Sequence, residues 1–270
     1  IEEEGGSHIE ASEGDLEAWK TMVEIASMAA DDLNYFKLQG KNADGADDPQ
    51  QEKLLDIDAF IDYMLINQYG GNTDWDHHNW YAILRRGIES QGFKFLCWDT
   101  EQIFESRSEN VLGVNNGLQS PTGIVNSLLQ NEKFALKYKK RAKEVLAADG
   151  LLGPDAVVQL WDSLYNIISS AIYAESARWG DYRRDVHPYQ SQGQLYTVDN
   201  QYMAERNRLL AEYFPVRSER VLNSILSLVQ VDDFDVPEGW EKLTASMFHV
   251  WDGSGAEAQP LDQTVNVDWN

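Results

Sequence analysis

Residues 56–71 read Asp-Ile-Asp-Ala-Phe-Ile-Asp-Tyr-Met-Leu-Ile-Asn-Gln-Tyr-Gly-Gly, and this stretch decides the fold. Its apolar residues recur at helical spacing, which predicts a strongly apolar helix over residues 54–69. Asp56 or Asp58 can cap the start of this helix. The pair Gly70-Gly71 marks its end, because glycine readily adopts the left-handed backbone that closes many helices. The side chains predicted to face the core are Ile57, Phe60, Ile61, Met64, Leu65 and Tyr69.

A polar loop and a β-hairpin follow this helix. Residues 80–84 and 93–98 are short apolar runs that predict two strands, and the turn-like link at 85–92 joins them. In a hairpin, the start of the first strand lies beside the end of the second. We therefore expect the loop at residues 71–79 to meet the acidic segment that follows residue 98.

The remainder of the chain is predicted to be helical. A first helix is expected after the cap residues at 12–15. From Pro121 onward, apolar stripes with a period near 3.6 predict helices, and a proline indicates a break in the last of them. These segments are 124–129, 134–148, 155–177 and 199–229 with the break at Pro215, and 186–198 is predicted to be a loop. The fold class is therefore mostly α with a small β-hairpin.

Two segments of unequal size are expected. Residues 1–231 carry the periodic segments and are predicted to form one lobe. Residues 232–270 are acidic, contain Gly and Pro, and are weakly periodic, which favours a linker or the start of a further module.

The charge of the chain limits its partners. Twenty-two basic and 45 acidic residues give a net charge of −23, which argues against nucleic acid or an anionic membrane as the main partner. No apolar run is long enough to predict a membrane span. A polyphosphate substrate would be repelled unless divalent cations intervened. The single cysteine, Cys97, lies in an apolar strand and is predicted to be a buried structural thiol.

Three residues form the constellation that points to chemistry. Asp74 and Asn79 are five positions apart in the loop, and Asp99 comes at the end of the second strand. An Asp-x-x-x-x-Asn loop followed by a strand that delivers another Asp is how kinase-like lobes arrange a base and its metal ligands. Asp74 would be the base, Asn79 and Asp99 would bind Mg²⁺ or Mn²⁺, and Glu101 would add an oxygen ligand. Spacing alone leaves the alternative that these residues only form turns and cap a strand.

Two other chemistries use the same segment. Asp76, His77 and His78 could bind zinc with Asp74, although adjacent histidines are expected to point apart, which favours packing or solvent exposure. Carboxylates near Trp75 and other tryptophans would also suit a glycoside hydrolase, in which two acids flank a sugar.

Several separated motifs resemble the CotH (spore-coat protein H) kinase family, over roughly residues 10–230. The central resemblance runs from Asp56 to Phe104, and weaker resemblance continues at 175–181 and 213–217. The motifs that carry it are the helix ending Met64-Leu-Ile-Asn67, the loop segments Asn72-Thr-Asp-Trp75 and His78-Asn-Trp-Tyr81, the strand end Trp98-Asp-Thr-Glu-Gln-Ile-Phe104, and the flanking segments Glu175-Ser-Ala-Arg-Trp-Gly-Asp181 and Tyr213-Phe-Pro-Val-Arg217.

The resemblance implies the C-terminal lobe of an atypical protein-kinase-like α+β fold and ATP-dependent phosphorylation of protein Ser/Thr hydroxyls. It places Asp74 at the catalytic position and Asn79 and Asp99 at the positions that bind metal and the ATP cofactor. Glu101 stands where the family more often has a second Asp. No segment resembles the family's upstream β-rich lobe with its nucleotide-contacting Lys, so the chain is expected to be a piece of a longer protein.

The family also suggests a bacterial, exported or cell-surface protein. A non-catalytic surface or scaffold protein that has kept this lobe is the alternative to an active kinase.

Overall fold

The computed structural model describes residues 9–87, 89–186 and 193–231, apart from the side chain of Arg183. The helices in these ranges are α1 (Glu17–Ser27), α2 (Asp32–Leu38), α3 (Ile57–Gly70), α4 (Pro121–Leu128), α5 (Glu132–Leu146), α6 (Pro154–Trp179), α7 (Tyr182–Asp185), α8 (Met203–Arg208) and α9 (Phe214–Leu228). Two strands, β1 (Trp80–Ile83) and β2 (Lys94–Cys97), form one antiparallel hairpin. The predicted class, mostly α with a small β-hairpin, is confirmed.

Helix α3 is the centre of the core and leads directly into the predicted site. The Asp56 carboxylate accepts a hydrogen bond from the main-chain N–H of Ala59 at 3.0 Å, which begins the helix as predicted. Most α3 residues are buried, and helices α5 and α9 pack against it together with β2. Gly71 ends the helix in the left-handed conformation, with φ at 61°. A Cβ at this position would lie 3.0 Å from the Arg217 guanidinium, so glycine is needed for space as well as for conformation.

The hairpin packs one face on α3 and exposes the other. Trp80 pairs with Cys97 and Ile83 with Lys94, so the open end of the hairpin lies at Trp80 and Cys97. On the inner face Phe95 is buried, with its ring 4.9 Å from that of Phe60.

The prediction that Cys97 is buried was wrong. Cys97 is exposed overall, because β2 ends there and only part of its inner face is covered. Its Sγ lies 3.6 Å from Asn67 Nδ2, and partial burial raises the pKa of the thiol above its ordinary value of 9.0.

The last helices differ from the sequence expectation in two ways. Helix α6 has no buried residue among those described, although its apolar stripe predicts a core face. It packs through partly buried residues, including Trp161, onto a small cluster of Leu209, Tyr213 and Phe214. Pro215 does not break the chain into separate helices. The π-helical segments Val198–Tyr202 and Leu209–Tyr213 keep the chain helical up to α9. Pro215 lies in the first turn of α9, a position that proline favours because the N–H it lacks is not needed there.

Arg217 of α9 joins the core to the end of α3. Its side chain is only 1% exposed and donates hydrogen bonds to the main-chain carbonyls of Gln68, Tyr69, Arg107 and Glu109 at 2.5–3.1 Å. Loss of solvent lowers the pKa of this guanidinium. The arrangement fixes the last turn of α3 against the segment that follows the hairpin.

Two sequence expectations concern residues that are not described. The linker or module predicted at 232–270 lies outside the described residues, as do residues 187–192 of the loop predicted at 186–198. The division at residue 231 therefore stays a prediction. No described helix has the length and apolar character that crossing a membrane requires.

Candidate functional site

The loop after α3 is held by the helix itself. Asn72 donates from its Nδ2 to the Asn67 Oδ1 at 3.1 Å, so the loop is tied to the last turn of α3. The Asn72 Oδ1 accepts from the main-chain N–H of Asp74 at 3.2 Å, which is a short turn closed by a side chain. These bonds fix the backbone that presents the Asp74 carboxylate.

Asp74 and Asn79 are brought together as their spacing predicts. The Asn79 Nδ2 donates to the main-chain oxygen of Asp74 at 2.9 Å and to the Asp74 Oδ2 at 3.2 Å. Gln102, from the segment after β2, donates to the same Oδ2 at 3.5 Å. One carboxylate oxygen of Asp74 is therefore taken up by amide donors, and the other is turned away from them.

Asp99 and Glu101 lie in the segment that the hairpin brings to this loop. The pairing of Trp80 with Cys97 puts Asn79 and Asp99 at the same end of the hairpin. The main-chain N–H of Thr73 donates to the main-chain oxygen of Gln102 at 3.3 Å, so a hydrogen bond joins the two segments directly. The side chains of Asp99 and Glu101 are exposed. Their roles as metal ligands, and that of Asn79, stay predictions.

Three residues around the site have a left-handed backbone. The φ angles are 84° at Asp76, 55° at Asn79 and 48° at Asp99. Asp and Asn tolerate this conformation better than other non-glycine residues do. Asp74 is not among the residues with positive φ.

Asp76 has a structural role that sequence reasoning missed. Its side chain is 0% exposed, and its carboxylate accepts from the Thr122 N–H at 2.7 Å, the Thr122 hydroxyl, and the Asn116 Nδ2 at 3.0 Å. Thr122 is in the first turn of α4, where helix N–H groups lack partners within the helix. The loop is thus fastened to a helix that begins 45 residues later in the chain. No local sequence signal identifies Thr122 as the partner.

The two adjacent histidines converge instead of pointing apart, so that expectation was wrong. Their rings meet edge to face with centroids 3.8 Å apart. The Nε2 of His78 lies 3.1 Å from the Asp74 Oδ1, and that of His77 lies 3.9 Å from it. Asp76, which the zinc hypothesis grouped with them, points into the core.

A groove of about 700 Å³ runs beside this loop. It lies between the segment that precedes α1 and the hairpin, and His77, His78, Asn79 and Trp98 contribute to its wall. The site is therefore an accessible loop cluster at the edge of a groove, held in place by buried anchors. Its oxygen-bearing side chains suit a hard divalent cation.

Comparison with known proteins identifies the family. The family model described as CotH kinase protein matches residues 12–210, which is most of the chain. Comparisons with curated proteins and with solved structures found no match. The matched range contains the helix α3, the loop with Asp74 and Asn79, and the segment with Asp99. The chain belongs to the CotH kinase protein family.

Proposed function

We propose that this protein transfers the γ-phosphoryl group of ATP, bound with Mg²⁺ or Mn²⁺, to Ser or Thr hydroxyls of a protein substrate. Family membership supports a kinase-like role. The observation that carries the finer proposal is the meeting of the Asp74–Asn79 pair with the Asp99 segment at one end of the hairpin. Phosphoryl transfer depends mainly on this kind of positioning and on metal-ion electrostatics.

Asp74 is the proposed base. Its Oδ2 accepts amide hydrogen bonds from Asn79 and Gln102, which orient the carboxylate, and its Oδ1 faces His77 and His78 instead of the amides. In the proposed step a Ser or Thr oxygen attacks the γ-phosphorus, a new O–P bond forms, and the bond from that phosphorus to the bridging oxygen of ADP breaks. The proton of the hydroxyl goes to Asp74 Oδ1, and ADP leaves.

Asn79, Asp99 and Glu101 are the proposed metal ligands. All three offer oxygen, which Mg²⁺ prefers. The Asn79 Nδ2 is used on Asp74, so its amide oxygen is the atom left for an ion. The metal would supply the positive charge that the phosphates need in a chain with a net charge of −23. We therefore expect activity to depend strictly on a divalent cation.

The spore-coat association of the family is consistent with a bacterial origin. We propose that the protein acts outside the cell or at its surface, on a protein substrate. Fractionation of cells that express the full-length protein tests this, since recovery only from the cytosol would contradict it.

The proposed activity is tested by transfer of labelled γ-phosphate from ATP to protein, with Mg²⁺ present or chelated, in the full-length protein. Loss of a general base costs about 10²–10⁴-fold in rate, so Asp74→Ala is expected to lose at least about 100-fold. Asp99→Ala removes a proposed metal ligand and is also expected to lower the rate. Asp149→Ala, which removes an exposed carboxylate between α5 and α6, is the matched control and is expected to keep its rate.

If both site variants transfer phosphate as fast as the control, the assignment of Asp74 and Asp99 is wrong. If the unmodified protein neither binds Mg-ATP in titration calorimetry nor transfers phosphate, the non-catalytic scaffold function takes the place of the kinase.

A further inference from the structure

We propose that Asp74, His77 and His78 form a binding site for a divalent transition-metal ion, which blocks the catalytic oxygen of Asp74 when it is bound. The binding site follows from the geometry alone. The blocking effect rests on the proposed kinase function.

The ligand atoms of these three residues converge. Each of the three side chains offers one ligand atom, and these three atoms all lie within 4.8 Å of one another. Zinc bonds of about 2.0–2.1 Å in a tetrahedral arrangement place ligand atoms roughly 3.3 Å apart. The separation of His78 Nε2 from Asp74 Oδ1 is 3.1 Å, and that of His77 Nε2 is 3.9 Å. Small side-chain rotations would therefore complete the site.

The hydrogen bond made by His77 favours metal binding. Its Nδ1 lies 3.2 Å from the main-chain oxygen of Trp75, and a carbonyl oxygen can only accept. The proton of the neutral ring is thus on Nδ1, and Nε2 carries the free lone pair. A histidine whose second nitrogen donates to a carbonyl is the arrangement that orients metal-binding imidazoles in proteins.

Asp74 is oriented for the same purpose. Its Oδ2 accepts from Asn79 and Gln102, and its Oδ1 is the oxygen that faces both histidines. The loop backbone is anchored beneath the site by Asp76. The side chains of His77 and His78 are 51% and 48% exposed, so an ion from solvent can reach them.

The ligand set decides which metal is bound. Imidazole suits Zn²⁺ and other transition ions, whereas Mg²⁺ prefers oxygen ligands alone. The proposed Mg²⁺ ligands Asn79, Asp99 and Glu101 offer only oxygen, so the two sites select different ions. A transition ion on Oδ1 would take the lone pair that the substrate hydroxyl needs, and kinase activity would fall as this ion binds.

Binding is tested on the chain itself by titration calorimetry with Zn²⁺ and by the visible absorption of Co²⁺, whose intensity reports tetrahedral coordination. We expect one tight equivalent, with affinity weakened at least about tenfold in His77→Ala and in His78→Ala. His187→Ala is the matched control, because it removes a histidine from a different part of the sequence. Far-UV circular dichroism checks that each variant is folded. The proposed site is overturned if the unmodified protein binds no Zn²⁺ ion tightly, or if His77→Ala and His78→Ala bind Zn²⁺ as tightly as His187→Ala.

The blocking effect is tested by Zn²⁺ titration of the phosphate transfer described above, at saturating Mg-ATP. The fraction of activity lost at each Zn²⁺ concentration is expected to be smaller in His77→Ala and His78→Ala than in the unmodified protein. Equal losses in all of them overturn the blocking. If the protein shows no transfer activity at all, the proposed kinase function fails while the binding titration still decides the metal site.

Discussion

Replacement of Asp76 by Ala is expected to destabilise the fold, although the neighbouring Asp74 is the proposed catalytic residue. The Asp76 carboxylate is 0% exposed and accepts from both donors of Thr122 and from Asn116. The Ala variant leaves these donors without their acceptor.

The cost can be worked out donor by donor. A buried donor left unsatisfied costs about 1–3 kcal/mol. The Thr122 N–H lies in the first turn of α4 and has no partner within the helix, so it carries the full cost. The Thr122 hydroxyl can turn to the Ser120 Oγ at 3.2 Å, and the exposed Asn116 amide can reach water. The loss of Asp76 therefore costs less than the full amount at each of these two donors. The sum is a loss of about 2–4 kcal/mol in the free energy of unfolding. Asp74→Ala, at a partly exposed position, is expected to change it by about 0.5 kcal/mol or less.

Urea unfolding followed by far-UV circular dichroism measures this difference. With a slope of about 2–3 kcal/mol per molar, the Asp76→Ala midpoint is expected to fall by about 1 M. Asp76→Asn keeps the shape of the side chain and tolerates the left-handed backbone, but it turns an amide donor toward other donors. Its midpoint is therefore expected to lie between those of the unmodified protein and Asp76→Ala. The anchoring role is refuted if Asp76→Ala unfolds at the wild-type midpoint, or if Asp74→Ala falls by as much.

Three further predictions concern other residues. Arg217→Ala removes donors from four main-chain carbonyls, so it should lower the free energy of unfolding by about 3–5 kcal/mol and Tm by roughly 10 °C. Its control, Arg141→Ala, removes a partly exposed ion pair and should lower the free energy of unfolding by about 1 kcal/mol or less. Gly123→Ala should lower Tm despite the higher helix propensity of Ala, because its Cβ would lie 1.8 Å from the Gly117 main-chain oxygen. Gly113 has open space around it, so Gly113→Ala should leave Tm unchanged. Equal changes in Tm would contradict the steric argument. Alkylation of Cys97 by iodoacetamide should keep accelerating above pH 9.0, since desolvation raises the thiol pKa, and a plateau below that pH would contradict it.

The local features of the fold could be predicted from the sequence. The cap at Asp56 and the glycine pair that ends α3 are short-range signals, and both lie where they were expected. The strand pairing followed from two apolar runs and a turn-like link. The meeting of Asp74 with Asn79 followed from five-residue spacing in one loop.

Long-range partners could not be predicted, because they depend on tertiary packing. The bond from Asp76 to Thr122 joins residues 46 positions apart, and Arg217 reaches the end of α3 from nearly 150 positions away. The apolar stripe of α6 reads as a core face, but periodicity does not show whether another element covers it. The convergence of His77 and His78 depends on the backbone of a loop, which no periodic pattern describes.

The left-handed residues at the site affect how relatives of this protein should be compared. Asn79 and Asp99 have positive φ angles, and Asn and Asp are among the few residue types other than glycine that adopt such angles readily. An inactive descendant could therefore retain both residues for conformational reasons after its chemistry had been lost. Asp74 has no such backbone requirement, so only selection for its carboxylate would keep it in place. Under the proposed function, Asp74 is the one of these residues whose replacement in a relative would signal a loss of activity.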